Sequence, residues 1–324
     1  MHNDGKLDSV GLAARTPNPS FLAVSHDKKY LVSISEVSAK DHAGMVKSYR
    51  IVGDRLKEIS VSSSGGGHPC FVGINEKGDV VVANYSGGSV ALYRLNMQGK
   101  LSEVLDVRQH KGSGTTSRQK SPHAHSAWFD PVSNHVIGVD LGTNELWIYV
   151  LDSDAGKLVP ADPPTLSMEP GAGPRHLVFH PGREWVYVVN ELNATVTRVV
   201  RDGRGHYQVK ESYSTLPADF TGHNTCADIH VSADGKYVYA SNRGHNSLAI
   251  FKVDQEDGML APAKHASVHG ETPRNFAISP CGRYVLVANQ DSENIVSFRR
   301  DMGTGQLIKI DEIDAPKPVC IKFL

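Results

Sequence analysis

Cysteine is scarce in this chain of 324 residues: Cys70, Cys226, Cys281 and Cys320 lie far apart, with no CxxC pair. That spacing excludes a disulfide scaffold and predicts buried, reduced thiols. There is no excess of positive charge, since 34 Lys and Arg stand against 35 Asp and Glu. A nucleic-acid footprint needs a basic excess on one face, so no nucleic-acid partner is expected. No apolar run approaches the roughly 18 residues needed to cross a bilayer as a helix, so no membrane partner is expected either. The start, Met1-His-Asn-Asp-Gly5, lacks the basic-then-apolar layout of a signal peptide, which points to the cytoplasm. Also missing are a Gly-rich loop between strand and helix, an HExxH helix and a serine nucleophile elbow. Helical periodicity is absent as well; alternating and β-branched strand patterns run throughout.

What is present is a repeat. Tyr187-Val-Val-Asn-Glu-Leu-Asn-Ala-Thr-Val, Tyr239-Ala-Ser-Asn-Arg-Gly-His-Asn-Ser-Leu and Leu286-Val-Ala-Asn-Gln-Asp-Ser-Glu-Asn-Ile share one form. An apolar strand ends in Asn190, Asn242 or Asn289, a polar turn follows, and a second strand begins. Asn84 holds the same slot in Val82-Ala-Asn-Tyr-Ser-Gly-Gly-Ser-Val. Upstream lies a strand, a tight turn and a strand, as in Phe276-Ala-Ile-Ser-Pro-Cys-Gly-Arg-Tyr and Leu22-Ala-Val-Ser-His-Asp-Lys-Lys-Tyr. Their Asp, Gly and Pro residues tolerate the dihedrals such turns demand. Downstream, Asp257-Gly-Met-Leu and Gly303-Thr-Gly-Gln-Leu read as hairpin turns into an outer strand. A unit of four strands repeating every ~50 residues is a propeller blade.

The innermost strand type recurs near Leu22, Val72, Ala127, Val178, Ile229, Ala277 and Ile321, and the outermost type starts at Lys6. Both types appear seven times and the two middle types only six. The reading is therefore an all-β, seven-bladed β-propeller forming one domain over residues 1–324. Its seventh blade is incomplete, made of the N-terminal outer strand and the C-terminal inner strand Val319–Leu324. The two missing strands place a truncation at the N-terminus. Two inserts, His110–Pro122 and Leu216–Thr225, are long enough to line a binding face.

Repeats also serve as their own control, because positions that match serve the fold and positions that diverge into reactive residues are candidates for chemistry. Just before each innermost strand stand Ser20, Cys70, His125, Arg175, Ala227 and Arg274. The next slot holds Phe21, Phe71, Ser126, His176, Asp228 and Asn275, and the slot after the second strand holds Glu36, Tyr85, Leu141, Glu191, Arg243 and Gln290. Antiparallel pairing puts these slots at one end of the blade. The divergent polar set is His123, His125, Arg175, His176, Glu191, Asp228, Arg243 and Arg274. Three arginines suit a carboxylate or phosphate, and Glu191 and the histidines offer acid and base. An ion-pair network that ties blades together, such as Arg175 with Glu191, stays open as the alternative. His123-Ala-His125 alternates as in some metal sites, but no metal or other cofactor is assigned.

Pro122-His-Ala-His-Ser126, Gly171-Ala-Gly-Pro-Arg-His-Leu-Val-Phe-His-Pro181, Val189-Asn-Glu-Leu-Asn193, Ser241-Asn-Arg-Gly-His245 and Thr272-Pro-Arg-Asn-Phe276 together resemble the seven-bladed lactonase family. That family includes propeller-type 6-phosphogluconolactonases and a fungal carboxymuconate cyclase. The resemblance runs from about Lys6 to Leu324. It departs at the N-terminus, where members begin with two more strands. It implies a catalytic site of His125 (or its neighbour His123), Arg175, Glu191 and Arg243; the comparison of slots leaves His123, His176, Asp228 and Arg274 to bind substrate. The implied activity is hydrolysis of a small anionic sugar lactone, 6-phosphogluconolactone first, by a monomer without cofactor. Lactonisation of a carboxylated muconate and a non-catalytic scaffold propeller are the alternatives.

Overall fold

The computed structural model describes residues 1–37 and 44–324. The described residues contain strands and turns and no helix. They form two compact units, one of Val10–Gly173 with Leu324, the other of Met1–Ser9 and Pro174–Phe323.

The first unit holds three four-stranded antiparallel sheets. These are β1–β4 (Pro19–Val24, Tyr30–Ser35, Met45–Val52, Arg55–Ser63), β5–β8 (Pro69–Ile74, Asp79–Asn84, Ser89–Arg94, Asp106–Gln109) and β9–β12 (Ala124–Phe129, His135–Asp140, Glu145–Asp152, Lys157–Ser167). The second unit holds β13–β16 (Pro174–Phe179, Trp185–Asn190, Thr195–Arg201, Tyr207–Ser214), β17–β20 (Thr225–Val231, Tyr237–Arg243, Ser247–Lys252, Lys264–Ser267) and β21–β24 (Pro273–Ile278, Tyr284–Asn289, Asn294–Arg300, Leu307–Asp314). Each sheet is a meander of sequence neighbours, the form of a propeller blade. Within each unit the first strands of successive sheets are neighbours. The second strand of each sheet is its most buried: in β14, Trp185–Asn190, every residue is enclosed. Valine and aromatic side chains from facing sheets meet there, as Tyr187, Val189, Val238, Ala240 and Phe251 do between two sheets of the second unit.

The repeated Asn proves to be a clasp at 84, 242 and 289, whereas Asn190 Nδ2 donates to Thr195 and Thr197 of its own sheet. Asn84 Nδ2 donates to the Ser64 carbonyl at 3.0 Å and Asn242 Nδ2 to the Thr215 carbonyl at 2.8 Å, each reaching the end of the preceding sheet's outer strand. In β10 the slot holds Asp140, and a buried His110 takes the place of the backbone acceptor, its Nδ1 2.6 Å from Asp140 Oδ2. His110 opens the first insert, which is anchored within its own unit by a fully buried Gln119 whose amide donates to the Leu141 carbonyl at 2.9 Å.

The seventh blade differs from the sequence reading. Neither the segment from Lys6 nor Val319–Leu324 carries a strand ladder. The reason is geometric: an innermost and an outermost strand stand three strand spacings apart, about 14 Å, so without the two middle strands neither has a partner for its N–H and C=O groups. The N-terminal segment still sits where an outer hairpin belongs. A Cβ on Gly5 would lie 2.7 Å from the Tyr284 ring, just as one on Gly305 would meet Tyr237 and one on Gly258 would meet Trp185. Leu7 N–H donates to Asp311 of β24, and the Ile321 N–H donates to Asn275 of β21. None of the four cysteines is in a disulfide; Cys70 and Cys226 are buried as expected, whereas Cys281 is exposed.

Candidate functional site

The slot that the sequence puts before each innermost strand lies inside it. In β13 the pairing runs Pro174 with Asn190 and then His176 with Val189, so Arg175 is an extra residue with no partner across the ladder. Arg274 in β21, Cys70 in β5 and His125 in β9 are bulged in the same way, and β1 and β17 carry the same register shift. A bulge breaks the alternation of the pleat and re-aims one side chain, and bulges are over-represented beside active sites. In β13 it turns Arg175 toward Glu191.

In the second unit the structure brings six of the expected residues together. Arg175 Nε donates to Glu191 Oε2 at 3.1 Å, and Arg243 Nη2 reaches the same oxygen at 3.0 Å. Arg175 Nη1 also donates to the Ala227 carbonyl at 2.5 Å, and Arg243 Nη2 to the Cys226 carbonyl at 2.9 Å. Ala227 fills the bulge slot of β17, and its small side chain leaves room for that approach. Burial, with the charges of Arg243 and Arg274, lowers the Arg175 pKa to about 9 against the pull of Glu191 and Asp228. Arg243 is lowered too, chiefly by burial, with Glu191 opposing. Its Nε is enclosed and has no acceptor among the described residues. Arg274 is half-buried. It adds its charge to both other arginines and makes no hydrogen bond or ion pair with a described residue.

Behind Arg175 lies a buried His–Asp pair. His176 Nδ1 is 2.9 Å from Asp228 Oδ1, and both side chains are closed to solvent. Burial alone would raise the Asp228 carboxyl. The charge of His230 and the hydrogen bonds from His176 and His230 outweigh it and hold Asp228 well below the usual carboxylate range. A carboxylate only accepts, so His176 Nδ1 carries the hydrogen and Nε2 is the bare nitrogen. Asp228 also takes His230 Nε2 at 3.1 Å, Asn275 Nδ2 at 2.5 Å, Ile229 N at 3.0 Å and Phe276 N at 3.3 Å. Sequence comparison did not single out His230 or assign Asn275 a role. The signal for Asn275 was its place in the slot after the bulge, where its amide meets Asp228 from the neighbouring sheet.

In the first unit, His125 is buried in the β9 bulge. Its carbonyl accepts from Cys70 Sγ at 3.2 Å, and its ring meets Tyr85 edge-on at 5.4 Å. His123 precedes the strand. It stacks on Tyr85 at 4.6 Å and donates its backbone N–H to Asp140 Oδ1 at 2.8 Å. The alternate spacing of the two histidines therefore does not put them side by side on one strand face. Among the described residues no three His, Cys, Asp or Glu side chains gather as a metal-ligand set.

Burial and then the Arg175 charge lower the His176 pKa to about 4, against Asp228. An unfolded histidine titrates near 6.5. Between these values the unfolded chain binds the extra proton, so stability rises with pH. The contribution is complete above about pH 6.5 and is lost as pH falls toward 4. Denaturant unfolding at pH 4.5, 5.5 and 7.5 should show this slope in the wild type and a flatter one in His176→Gln. Parallel slopes would show that His176 is not held neutral.

A family profile described as Lactonase, 7-bladed beta-propeller matches residues 1–323. The chain is 35% identical over 323 residues to a 6-phosphogluconolactonase of Bacillus subtilis, covering 98% of this chain and 90% of that protein. A second 6-phosphogluconolactonase, from Formosa agariphila, is 35% identical over 314 residues, covering 91% and 85%. Among solved structures, a protein from Lactobacillus plantarum superposes with TM-score 0.90 at 34% identity, covering 97% of this chain and 90% of that one. The periplasmic gluconolactonase of Pseudomonas aeruginosa superposes with TM-score 0.88 at 34% identity, covering 94% and 88%.

Proposed function

Because the chain belongs to the seven-bladed β-propeller lactonase family, we propose that it hydrolyses an anionic sugar lactone, 6-phosphogluconolactone first among them. The observation that carries this reading is the surplus of guanidinium groups. Arg175 and Arg243 share one carboxylate oxygen of Glu191, while Arg274 and the Nε of Arg243 lack acceptors among the described residues. A network built only to join strands would pair its donors, because an enclosed donor left unmade costs about 1–3 kcal/mol. Donors left over in a cationic cluster suit an anionic ligand.

In the proposed reaction water attacks the ring carbonyl carbon, and negative charge develops on the carbonyl oxygen. An arginine N–H stabilises that oxyanion, and Glu191 takes the proton from the attacking water. The ring C–O bond then breaks, Glu191 returns the proton to the ring oxygen, which leaves as a hydroxyl, and the product is the open acid. Arg274 holds the phosphate. His125 is the second candidate for the base. The absence of disulfides suits a reducing compartment, which supports a cytoplasmic setting. No helix among the described residues is long and apolar enough to cross a membrane.

The test is an assay of acid release from freshly made 6-phosphogluconolactone, corrected for spontaneous opening and run with and without chelator. Chelator-resistant catalysis is expected, with Arg274→Ala raising KM far more than it lowers kcat. Failure to accelerate opening of the phosphorylated lactone, together with turnover of a tricarboxylate muconate, would move the protein to the lactonising side of its family.

A further inference from the structure

Nothing in the hydrolytic scheme uses His176 and Asp228, although the pair is buried within the same cluster. Resting on the lactonase reading, we propose that His176 and Asp228 are positioning residues for Arg175: the carboxylate fixes the imidazole with its bare nitrogen against the guanidinium, and this fixes where the guanidinium can point.

Three contacts of the Arg175 head group bear on its direction. Nε is bound to Glu191, Nη1 donates to the Ala227 carbonyl, and Nη1 also lies 3.5 Å from His176 Nε2. The last is long for a hydrogen bond, so its value lies in what it forbids. With the hydrogen on Nδ1, His176 presents a lone pair to the cation. With the hydrogen on Nε2, or with both nitrogens protonated, it would present N–H to N–H and push Arg175 away. The tautomer is set by the outer partner, as it is for metal-bound and triad histidines. Here that partner is Asp228, which is itself held by Asn275 from β21 and by two backbone N–H groups. The competing explanation is that Asp228 only ties the first strands of three sheets together. His176 separates the two, because cutting it leaves the bond between Asp228 and Asn275 in place.

The tautomer can be read in the wild type. Long-range nitrogen–proton correlations of the His176 ring should show hydrogen on Nδ1 and a bare Nε2. Hydrogen on Nε2 overturns the proposal, whatever the chain turns out to hydrolyse.

Variants carry the second test. His176→Asn keeps a donor for Asp228 but ends short of Arg175, whereas His176→Gln carries an acceptor to about the place of Nε2. For 6-phosphogluconolactone, His176→Asn should lose about 10–100-fold in kcat, the scale of a misplaced catalytic group, with KM within about threefold of the wild type. His176→Gln should recover a large part of that loss, and the Arg175 Nε–H resonance should move in the Asn variant and return in the Gln variant. Equal loss in both variants, or loss only in proportion to the folded fraction, assigns the pair to structure. A raised KM with kcat unchanged would make His176 a substrate ligand. A wild type inert toward the lactone but with the expected tautomer and resonance shifts would sink the activity and leave the positioning intact.

Discussion

Glu191→Gln should lower kcat for 6-phosphogluconolactone by about 10²–10⁴-fold, the usual range for removing a general base, while product binding changes less than tenfold. Glu191 follows the last ladder residue of β14, and its backbone carbonyl accepts the Cys226 N–H of the next sheet at 3.2 Å. Its position is therefore fixed by the backbone, independently of its charge. Gln keeps the shape and one acceptor oxygen for the arginines but cannot take a proton from water. The binding half of the prediction follows from the same geometry. With Glu191 neutralised, Arg175 and Arg243 gain positive field, so an anionic product should bind at least as well unless the amide turns its N–H toward them. Steady-state kinetics with calorimetric titration of 6-phosphogluconate separates the two effects. Near-normal turnover would transfer the role of base to His125.

Arg175→Ala should cost both activity and stability, and the proportion decides between chemistry and scaffold. The side chain is 3% exposed. Its removal strips a donor from Glu191 and from the Ala227 carbonyl and leaves a void beside His176. Breaking a buried pair typically costs 3–5 kcal/mol. The low end, about 3 kcal/mol, is expected here, because Arg243 still holds Glu191 and because repulsion among three guanidinium groups is relieved. A domain with about 5–15 kcal/mol of stability survives that loss. Activity per folded molecule should fall about 10²–10³-fold, as when one oxyanion donor is lost. Unfolding curves and kinetics on the same preparation give both numbers. A large stability loss with unchanged activity per folded molecule would make Arg175 a strut.

Strand order was readable because each sheet is built from its own sequence neighbours, so no long-range pairing had to be guessed. The polar slots were readable for a related reason. Six copies of one meander put equivalent residues at equivalent places, and divergence at Arg175, Glu191, Arg243 and Arg274 stood out against Ser20, Cys70 and Gln290. The bulges were not readable, since an extra residue in a strand leaves no mark in a pattern of alternating apolar residues only six long. His230 was invisible because its relation to Asp228 is a same-strand i, i+2 contact on an innermost strand, where one more polar residue looks like a solvated face. The pair of Asp140 and His110 could have been found, because Asp stands in β10 where four other sheets have Asn. The missing ladder in the seventh blade followed from arithmetic already available: two strand types without the two between them cannot reach one another.

The bulge gives the fold a kind of mutational freedom. A residue outside the ladder exchanges no backbone hydrogen bond with the strand across from it, so replacing its side chain leaves the ladder in place and the cost falls on that side chain's own contacts. The same off-ladder position recurs in every sheet. Ser20, Cys70 and Ala227 show it left small or inert, and His125, Arg175 and Arg274 show it armed. Substitution at this position therefore changes which groups stand at the strand end, while the ladders that carry them stay the same.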